Sequence, residues 1–302
     1  MVRTADGLEL FAQQAGQGDD VVVVPNRIYM AEYFAHLEAN HRVVYYDPRN
    51  RGLSESVADE TKLARGVWHD VEDLESLRQH CQAARISILA YSYLAVAAAL
   101  YAKTYPGRAD KLILLGPPPP DPGKQYPPDL RSSDGSLEAF WARFTAFQSQ
   151  ANSLPPEERC RETWKLLNEL YVLKPEDAGR LFWAPCGIPN EVNFMAPFMK
   201  FIMPSLNALH LDRAALAAVQ APTLIVHGRF DRSAPYGGGR DWAALLPHAK
   251  LITIDNAAHV PWIEAPDAVA DHLHPAARAR ARPTRGRAVT PPRAVQGSAT
   301  CP

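Results

Sequence analysis

The chain of 302 residues lacks the features that mark secreted and membrane-spanning proteins. Its first seven residues contain no apolar stretch of the kind found in a secretory signal peptide. No apolar run approaches the roughly 20 residues that are needed to cross a membrane. The cysteines show no paired spacing, which is typical of a reducing compartment: Cys81, Cys160, Cys186 and Cys301. These absences predict a cytoplasmic protein that does not associate with membranes.

The sequence has equally little that would bind nucleic acid, nucleotides or metals. Six arginines and no acidic residue follow from Pro275 onward, so the overall net charge of −1 leaves about −7 on residues 1–274. An acidic body has no electrostatic attraction to nucleic acid. No glycine-rich phosphate loop is present, and His272 and His274 form no larger group of metal ligands. We therefore expect no cofactor and a small-molecule substrate as partner, and the oligomeric state stays open.

Short β-type runs alternate with helical stretches along most of the chain. The predicted strands are Val21–Val24, Arg42–Tyr46, Ile86–Leu89, Leu112–Leu115, Thr223–Val226 and Leu251–Ile254. The predicted helices between them are Met30–Ala39, Val67–Gln79, Tyr93–Tyr105 and Trp262–Leu273. An edge hairpin is expected from Val2–Thr4 and Leu8–Gln14. This alternation predicts an α/β fold with a mostly parallel sheet and helices on both faces.

The alternation stops at Gly116, where four consecutive prolines exclude both a helix interior and a central strand. From there to Leu211 the pattern is helical, over Ser136–Asn152, Pro156–Val172, Pro175–Trp183 and Val192–Leu209. We predict a core formed by residues 1–116 and 212–274, with residues 117–211 inserted as a helical cap. Residues 275–302 have no apolar periodicity and are expected to form a disordered basic tail.

One predicted helix of this cap is apolar almost all round. Phe194, Phe198 and Phe201 alternate along it with Met195, Met199 and Met203. Flexible apolar side chains of this kind suit the roof of a substrate pocket. Ordinary packing between cap helices accounts for the same pattern.

A serine lies where a strand turns sharply into a helix. Ser92 follows the apolar run that begins at Ile86 and precedes an alanine-rich stretch. A serine hydroxyl needs a base to remove its proton and a third group to orient that base. Asp231 follows one later strand and His259 follows the last one, in the order serine, acid, histidine. The alternatives are helix capping by Ser92, a turn or N-cap role for Asp231, and a core or surface position for His259.

These stretches, together with the loop from Asp47 to Ser54, resemble the α/β-hydrolase superfamily, specifically its serine hydrolases that carry a lid. The resemblance extends from residue 21 to residue 264. It implies that His259 takes the proton of Ser92 and that Asp231 orients the imidazole. It also implies an oxyanion hole formed by two backbone N–H groups, one of Tyr93 and one of Arg27. The loop from Asp47 to Ser54 is expected to have a structural role.

The sequence departs from the family pattern at three positions. The loop after the Val21–Val24 strand, which would supply the Arg27 N–H group, carries Asn26 where relatives often carry glycine. Asparagine tolerates a positive φ. The sharp turn from strand to helix at Ser92, which we call the elbow, carries Ala90 and Leu94 where relatives carry two glycines. Leu94 requires extra room between the helix and the strand. If Asp231 were not the acid, Asp255 would be the next candidate.

The favoured function is a serine hydrolase that cleaves a small to medium, largely apolar ester, lactone or amide through an acyl-enzyme. Proline iminopeptidase-like enzymes are the nearest relatives suggested by the motifs, so a peptidase is the first alternative. A biosynthetic acyl transferase or cyclase is the second. A non-catalytic ligand receptor on the same fold is the third, because fold alone does not fix function.

Overall fold

The computed structural model describes residues 1–131, 136–181 and 186–273, and its centre is a seven-stranded sheet. The strands are β1 Val2–Arg3, β2 Glu9–Leu10, β3 Ala12–Ala15, β4 Val21–Pro25, β5 Arg42–Tyr46, β6 Ile86–Tyr91, β7 Ala109–Leu115, β8 Thr223–Gly228 and β9 Ala249–Ile254. The order in the main sheet is β3-β5-β4-β6-β7-β8-β9, and only β3 is antiparallel to its neighbour. All six predicted strands of this sheet are confirmed.

The middle of the sheet is buried on both faces, which explains its continuous apolar runs. All residues of β4 are buried, and Val23 lies opposite Val44 of β5 and Ile88 of β6. Parallel strands place their carboxyl ends at the same edge of the sheet. The loops that follow β4, β6, β8 and β9 are therefore gathered at one edge, where they can form a single site.

The predicted edge hairpin is only partly right. Strands β1 and β2 pair with each other, with Val2 opposite Leu10, in a separate two-stranded sheet. The following residues leave that pair, and β3 joins the main sheet with Ala12 opposite Tyr46. The chain changes partner at Phe11, whose N–H donates to Ser54 Oγ at 2.9 Å and whose C=O accepts from the Asp47 N–H at 3.0 Å.

Helices cover both faces of the sheet. They are α1 Arg27–Phe34, α2 Val67–His80, α3 Tyr93–Thr104, α4 Pro128–Arg131, α5 Ser136–Ala151, α6 Pro156–Tyr171, α7 Pro189–Val192, α8 Met195–Pro197, α9 Met203–Asn207, α10 Arg213–Leu216, α11 Tyr236–Leu245, α12 Pro261–Glu264 and α13 Pro266–Leu273. Short 3-10 turns cover Ala35–Ala39, Glu60–Lys62 and Pro175–Arg180. Helices α2, α3 and α11 pack into one apolar core, and α1, α12 and α13 pack into a second core on the opposite face.

Helix α11 does not appear among the sequence predictions. It begins with Tyr236 and three glycines, and glycine is the least favourable residue in a helix apart from proline. Tertiary contacts explain the glycines. A Cβ on Gly238 would lie 3.0 Å from the backbone of Pro119, and one on Gly239 would lie 2.4 Å from His227 Nδ1. The glycines let this helix approach the proline run and the site closely.

The elements between β7 and β8 are all helical in the described residues, and we call residues 117–211 the helical segment. The predicted helix over Val192–Leu209 is interrupted, because Pro197 and Pro204 lack the N–H that a continuous helix needs. Between α8 and α9, residues Phe198–Ile202 form a π-helical turn. The predicted helix over Pro175–Trp183 is a 3-10 turn as far as Arg180. The boundaries of the core and cap stay a prediction.

Two of the cysteines are bonded to each other although the sequence shows no paired spacing. Cys160 of α6 and Cys186, which precedes α7, form a disulfide and are both buried. Their separation of 26 residues gives no sequence signal, since the pairing depends on how α6 and the following chain fold back on each other. The cysteine argument for a reducing compartment loses its support, and the cytoplasmic location stays a prediction.

The predicted tail over residues 275–302, together with Cys301, lies outside the described residues. Within residues 1–131, 136–181 and 186–273, no helix is long and apolar enough to cross a membrane.

Candidate active site

Ser92 occupies a strained turn between β6 and α3. Its backbone has φ 56° and ψ −132°, a conformation that non-glycine residues adopt rarely and mostly at functional sites. The Ser92 N–H donates to the C=O of Leu115 in the neighbouring strand at 2.9 Å, which ties the turn to the sheet. The Ser92 hydroxyl makes no capping hydrogen bond to α3. Ser92 therefore does not act as a side-chain cap, and its hydroxyl points elsewhere.

The hydroxyl points to His259, and His259 in turn meets Asp231. Ser92 Oγ lies 3.1 Å from His259 Nε2, and His259 Nδ1 lies 2.7 Å from Asp231 Oδ2. His259 is 1% exposed and Asp231 is fully buried, whereas Ser92 is half-buried. The structure thus brings together all three side chains that the sequence places after β6, β8 and β9. The serine is the member that a ligand can reach.

The surroundings of Asp231 keep it ionised. Its Oδ1 accepts the N–H groups of Ser233 at 2.9 Å and Ala234 at 2.8 Å. Burial on its own would raise the pKa of Asp231, but the attraction to His259 and the hydrogen bonds from His227 and His259 hold it well below its usual value. A carboxylate beside Nδ1 fixes the imidazole with its proton on Nδ1. Nε2 is then left to accept the proton of Ser92.

His227 is a contact of Asp231 that sequence reasoning missed. Its Nε2 lies 3.1 Å from Asp231 Oδ2 and 2.9 Å from the C=O of Ala234, and its side chain is fully buried. Both neighbours are acceptors, so Nε2 carries the proton and donates to them. The sequence feature that could have identified His227 is its position at the end of β8, four residues before Asp231.

Because His227 donates a hydrogen bond to Asp231, we expect it to help position that carboxylate. His227→Met removes the donor at similar length, and we expect kcat to fall about tenfold to a hundredfold, the scale of a hydrogen bond to a charged group. His227→Gln can supply an N–H at the same place and should recover part of that loss. The measurement is kcat and Tm for both variants. Equal activities of the two variants would contradict the donor role.

Aromatic rings from two parts of the chain enclose His259. The ring centroid of Tyr91 lies 4.7 Å from that of His259, and the ring centroid of Tyr171 lies 5.1 Å away. The C=O of Tyr171 also accepts the backbone N–H of His259 at 3.0 Å. Tyr171 ends α6, so the helical segment directly supports the loop that carries the histidine.

Gly116 is a second residue that sequence reasoning did not assign to the site. It has φ +52°, and a Cβ there would lie 3.1 Å from His259 Nδ1 and 3.3 Å from Asp231 Oδ2. Only glycine combines this backbone with the close approach of the two side chains. The start of the helical segment therefore lies against the histidine–aspartate pair.

Gly116→Ala is expected to lower kcat about tenfold, because the new methyl group displaces the pair by a few tenths of an ångström, less than the 1 Å shift that costs about a hundredfold. Gly107→Ala is the matched control, since Gly107 has φ +81° and no atom within 4 Å of a Cβ built there. Both variants strain the backbone, so both should lower Tm. A kcat that falls equally in the two variants would rule out a local effect on the site.

The loop after β4 has the geometry expected of Asn26. Asn26 adopts a left-handed conformation with φ 67° and ψ 50°, as its place in the sequence predicts. Arg27 begins α1, and its guanidinium packs over the ring of Phe11 at 4.8 Å, with Nε 3.5 Å from Asp47 Oδ2. The Arg27 side chain is therefore partly buried, at 21% exposure. The role of the Tyr93 and Arg27 N–H groups as an oxyanion hole stays a prediction.

Leu94 and Ala90, the two departures at the elbow, are both buried. Leu94 is 2% exposed in the first turn of α3, so the surrounding core has room for its side chain.

A buried ion pair fastens the helical segment to the loop after β5. Glu191 has no exposed side-chain surface and binds Arg51 through two contacts of 2.9 and 3.0 Å. It also accepts hydrogen bonds from Tyr29 and from the backbone of Gly52. Burial on its own would raise the pKa of Glu191, but Arg51 and these donors hold it below its usual value. The loop therefore has the structural role that the sequence predicts.

Two cavities lie in or beside the helical segment. A cavity of about 450 Å³ lies between α5, α6 and the 3-10 turn at residues 175–180, and its lining mixes apolar and charged side chains but does not include Ser92, Asp231 or His259. A smaller cavity of about 40 Å³ lies under the interrupted helix of the helical segment. Phe194, Phe198 and Phe201 line this smaller cavity, as a pocket roof would, whereas Met199 is 55% exposed.

A family model described as alpha/beta hydrolase fold matches residues 23–266, about four-fifths of the chain. The chain belongs to the α/β hydrolase fold family. This finding confirms the predicted family and fold class.

Curated relatives of this α/β hydrolase include an esterase and a probable proline iminopeptidase. Pimeloyl-[acyl-carrier protein] methyl ester esterase of Xanthomonas campestris is 42% identical over 62 residues, which cover 20% of this chain and only 24% of that protein. A probable proline iminopeptidase of Leptolyngbya boryana is 23% identical and covers 72% of this chain and 73% of that protein.

Solved structures of the same fold include an esterase from Exiguobacterium antarcticum and an enol-lactonase from Burkholderia xenovorans. The esterase has a TM-score of 0.67 and 17% identity, and the match covers 92% of this chain and 98% of the esterase. The enol-lactonase has a TM-score of 0.66 and 16% identity, with 89% and 96% covered. At these identities the likeness concerns the fold alone.

Proposed function

We propose that this α/β hydrolase is a cofactor-independent serine hydrolase that cleaves a small to medium, largely apolar ester, lactone or amide through an acyl-enzyme. The observation that carries the proposal is the continuous chain of contacts from Ser92 Oγ to His259 and on to Asp231, at 3.1 and 2.7 Å. The strained backbone of Ser92 and the ionised state of Asp231 support it.

In the acylation step, Ser92 Oγ attacks the substrate carbonyl carbon while His259 Nε2 takes the hydroxyl proton. The carbonyl oxygen becomes an oxyanion, which the backbone N–H groups of Tyr93 and Arg27 stabilise. The bond to the leaving group then breaks, and His259 returns the proton to that group. Asp231 holds the imidazole and stabilises its positive charge throughout.

In the deacylation step, water takes the place of the leaving group. His259 removes a proton from the water, whose oxygen attacks the acyl carbon. Collapse of the second tetrahedral intermediate breaks the bond to Ser92, and His259 returns the proton to Oγ. The rings of Phe194, Phe198 and Phe201, which line the small cavity beside Tyr93, support a largely apolar substrate.

The test is labelling with a fluorophosphonate probe, followed by a panel of p-nitrophenyl esters, lactones and aminoacyl-arylamides. We expect stoichiometric labelling and faster turnover of esters than of arylamides. Preference for the arylamides would favour the peptidase alternative. A folded protein that neither reacts with the probe nor turns over any substrate would favour the receptor alternative.

A further inference from the structure

The smaller cavity lies beside Tyr93, the residue that follows Ser92 in the chain. Its walls include Asp70 of α2, Arg51, Tyr93, Phe194, Phe198 and Phe201. Tyr93 connects the two places, because its backbone follows Ser92 while its ring lines the cavity and meets the ring of Phe198 edge-on at 5.4 Å. The volume of about 40 Å³ is enough for roughly three water molecules, or for a small charged group at the end of a substrate.

Asp70 is the unusual member of this wall. It is 2% exposed, and its Oδ2 has no hydrogen-bond partner among the described residues. A buried carboxyl group normally has a partner, because an oxygen without one has lost its hydrogen bonds to water, and the loss is larger when the group is charged. Neither the sheet nor the contacts of Ser92, His259 and Asp231 explain an acidic residue here. The group therefore fits a ligand better than a structural role.

Two arginines, Arg49 and Arg51, also line the cavity, and both already have carboxylate partners. Arg49 binds Asp73 at 2.8 and 2.6 Å and Asp6 at 2.8 Å, and Arg51 is held by Glu191. An anionic ligand would have to compete with those carboxylates and would also meet Asp70. Asp70 adds one more acidic group to this set, and once it loses its proton the cavity favours a cation.

We infer that this cavity binds the ammonium group of an amine-bearing substrate, with Asp70 as the counter-ion. The inference rests on the proposed hydrolase function and names the substrate class. The rings of Tyr93, Phe194 and Phe198 add cation–π attraction for the bound ammonium. In the absence of substrate, Asp70 keeps its proton. When an ammonium ion enters, that proton is released to water; a neutral amine instead takes the proton from Asp70 directly.

The titration of Asp70 gives this inference a pH signature. Burial first, and then repulsion from Asp73, raise the pKa of Asp70 to about 8, while Arg49 and Arg51 act in the opposite direction. The phenol groups of Tyr46 and Tyr93 also face Asp70, but both stay neutral in this range because burial raises their pKa values. Preference for the ammonium should therefore rise as the pH increases through about 8.

The experiment compares p-nitrophenyl esters of equal acyl length that end in an ammonium, a methyl, a hydroxyl or a carboxylate group, over a range of chain lengths. For the best length we expect kcat/KM to favour ammonium over methyl by about tenfold to a hundredfold. Asp70→Asn should reduce that ratio at least about tenfold. Glu72→Gln, on the same helix but partly exposed, removes one negative charge outside the cavity and should keep the ratio.

A second measurement does not depend on catalysis. Butylammonium chloride should raise Tm of the unaltered protein more than butanol does, and this difference should disappear in Asp70→Asn. The inference is overturned if the ammonium ester has no advantage at any length, or if Asp70→Asn keeps the advantage. If no ester is cleaved and the probe does not react, the hydrolase proposal fails. The Tm shift with butylammonium chloride then tests, independently of catalysis, whether the cavity binds an ammonium group.

Discussion

Ser92→Ala is expected to abolish turnover and labelling by a fluorophosphonate while the protein stays folded. The change removes only one oxygen, from a half-buried side chain that contacts His259, so Tm should change little. Triad variants of serine hydrolases lose activity as a unit, and we expect a fall in kcat on the order of 10³-fold or more. The measurements are the initial rate with an ester substrate, probe labelling and a melting curve.

Ser87→Ala is the matched control for this prediction. Ser87 lies in β6, the same strand that leads to Ser92, but toward the opposite end. Its alanine variant should be labelled and should turn over substrate like the unaltered protein. Full labelling of Ser92→Ala would remove Ser92 from the mechanism. Loss of activity in both variants would point to damage to the strand rather than to a missing nucleophile.

The sheet and the three side chains at its edge could be predicted because their signals are local. A parallel strand buried on both faces is a continuous apolar run, as in Val21–Pro25, and such runs fix the position of every loop that follows them. Ser92, Asp231 and His259 each lie just beyond such a run. Once the strands are known, the common edge of a parallel sheet brings the three residues together.

The supporting residues could not be predicted because their roles depend on tertiary contact. Gly116 needs to be glycine only because His259 and Asp231 pass beside it. Helix α11 carries glycines that argue against a helix, and contacts with Pro119 and His227 outweigh that local preference. The Cys160–Cys186 disulfide and the Arg51–Glu191 pair join residues that are far apart in the chain. No pattern of spacing identifies such partners.

Leu94→Gly is expected to destabilise the protein without making it a better enzyme. The change restores the glycine that relatives carry at the elbow, but Leu94 is 2% exposed and the core is packed around it. The resulting void should cost about 2–5 kcal/mol, and glycine inside a helix about 1 kcal/mol more. Ala99→Gly, in the same helix and also buried, is the control for helix propensity alone and should cost about 1 kcal/mol.

The same variant separates the hydrolase from the receptor alternative. If Leu94 strained the elbow and suppressed catalysis, glycine would relieve the strain, and ester hydrolysis would increase despite the lower stability. If the helix is already placed to accept leucine, the void adds mobility next to Ser92, and the rate can only fall. The packing of Leu94 and the 3.1 Å contact between Ser92 and His259 in its presence favour the second outcome. A higher rate in Leu94→Gly, measured below its Tm, would contradict it.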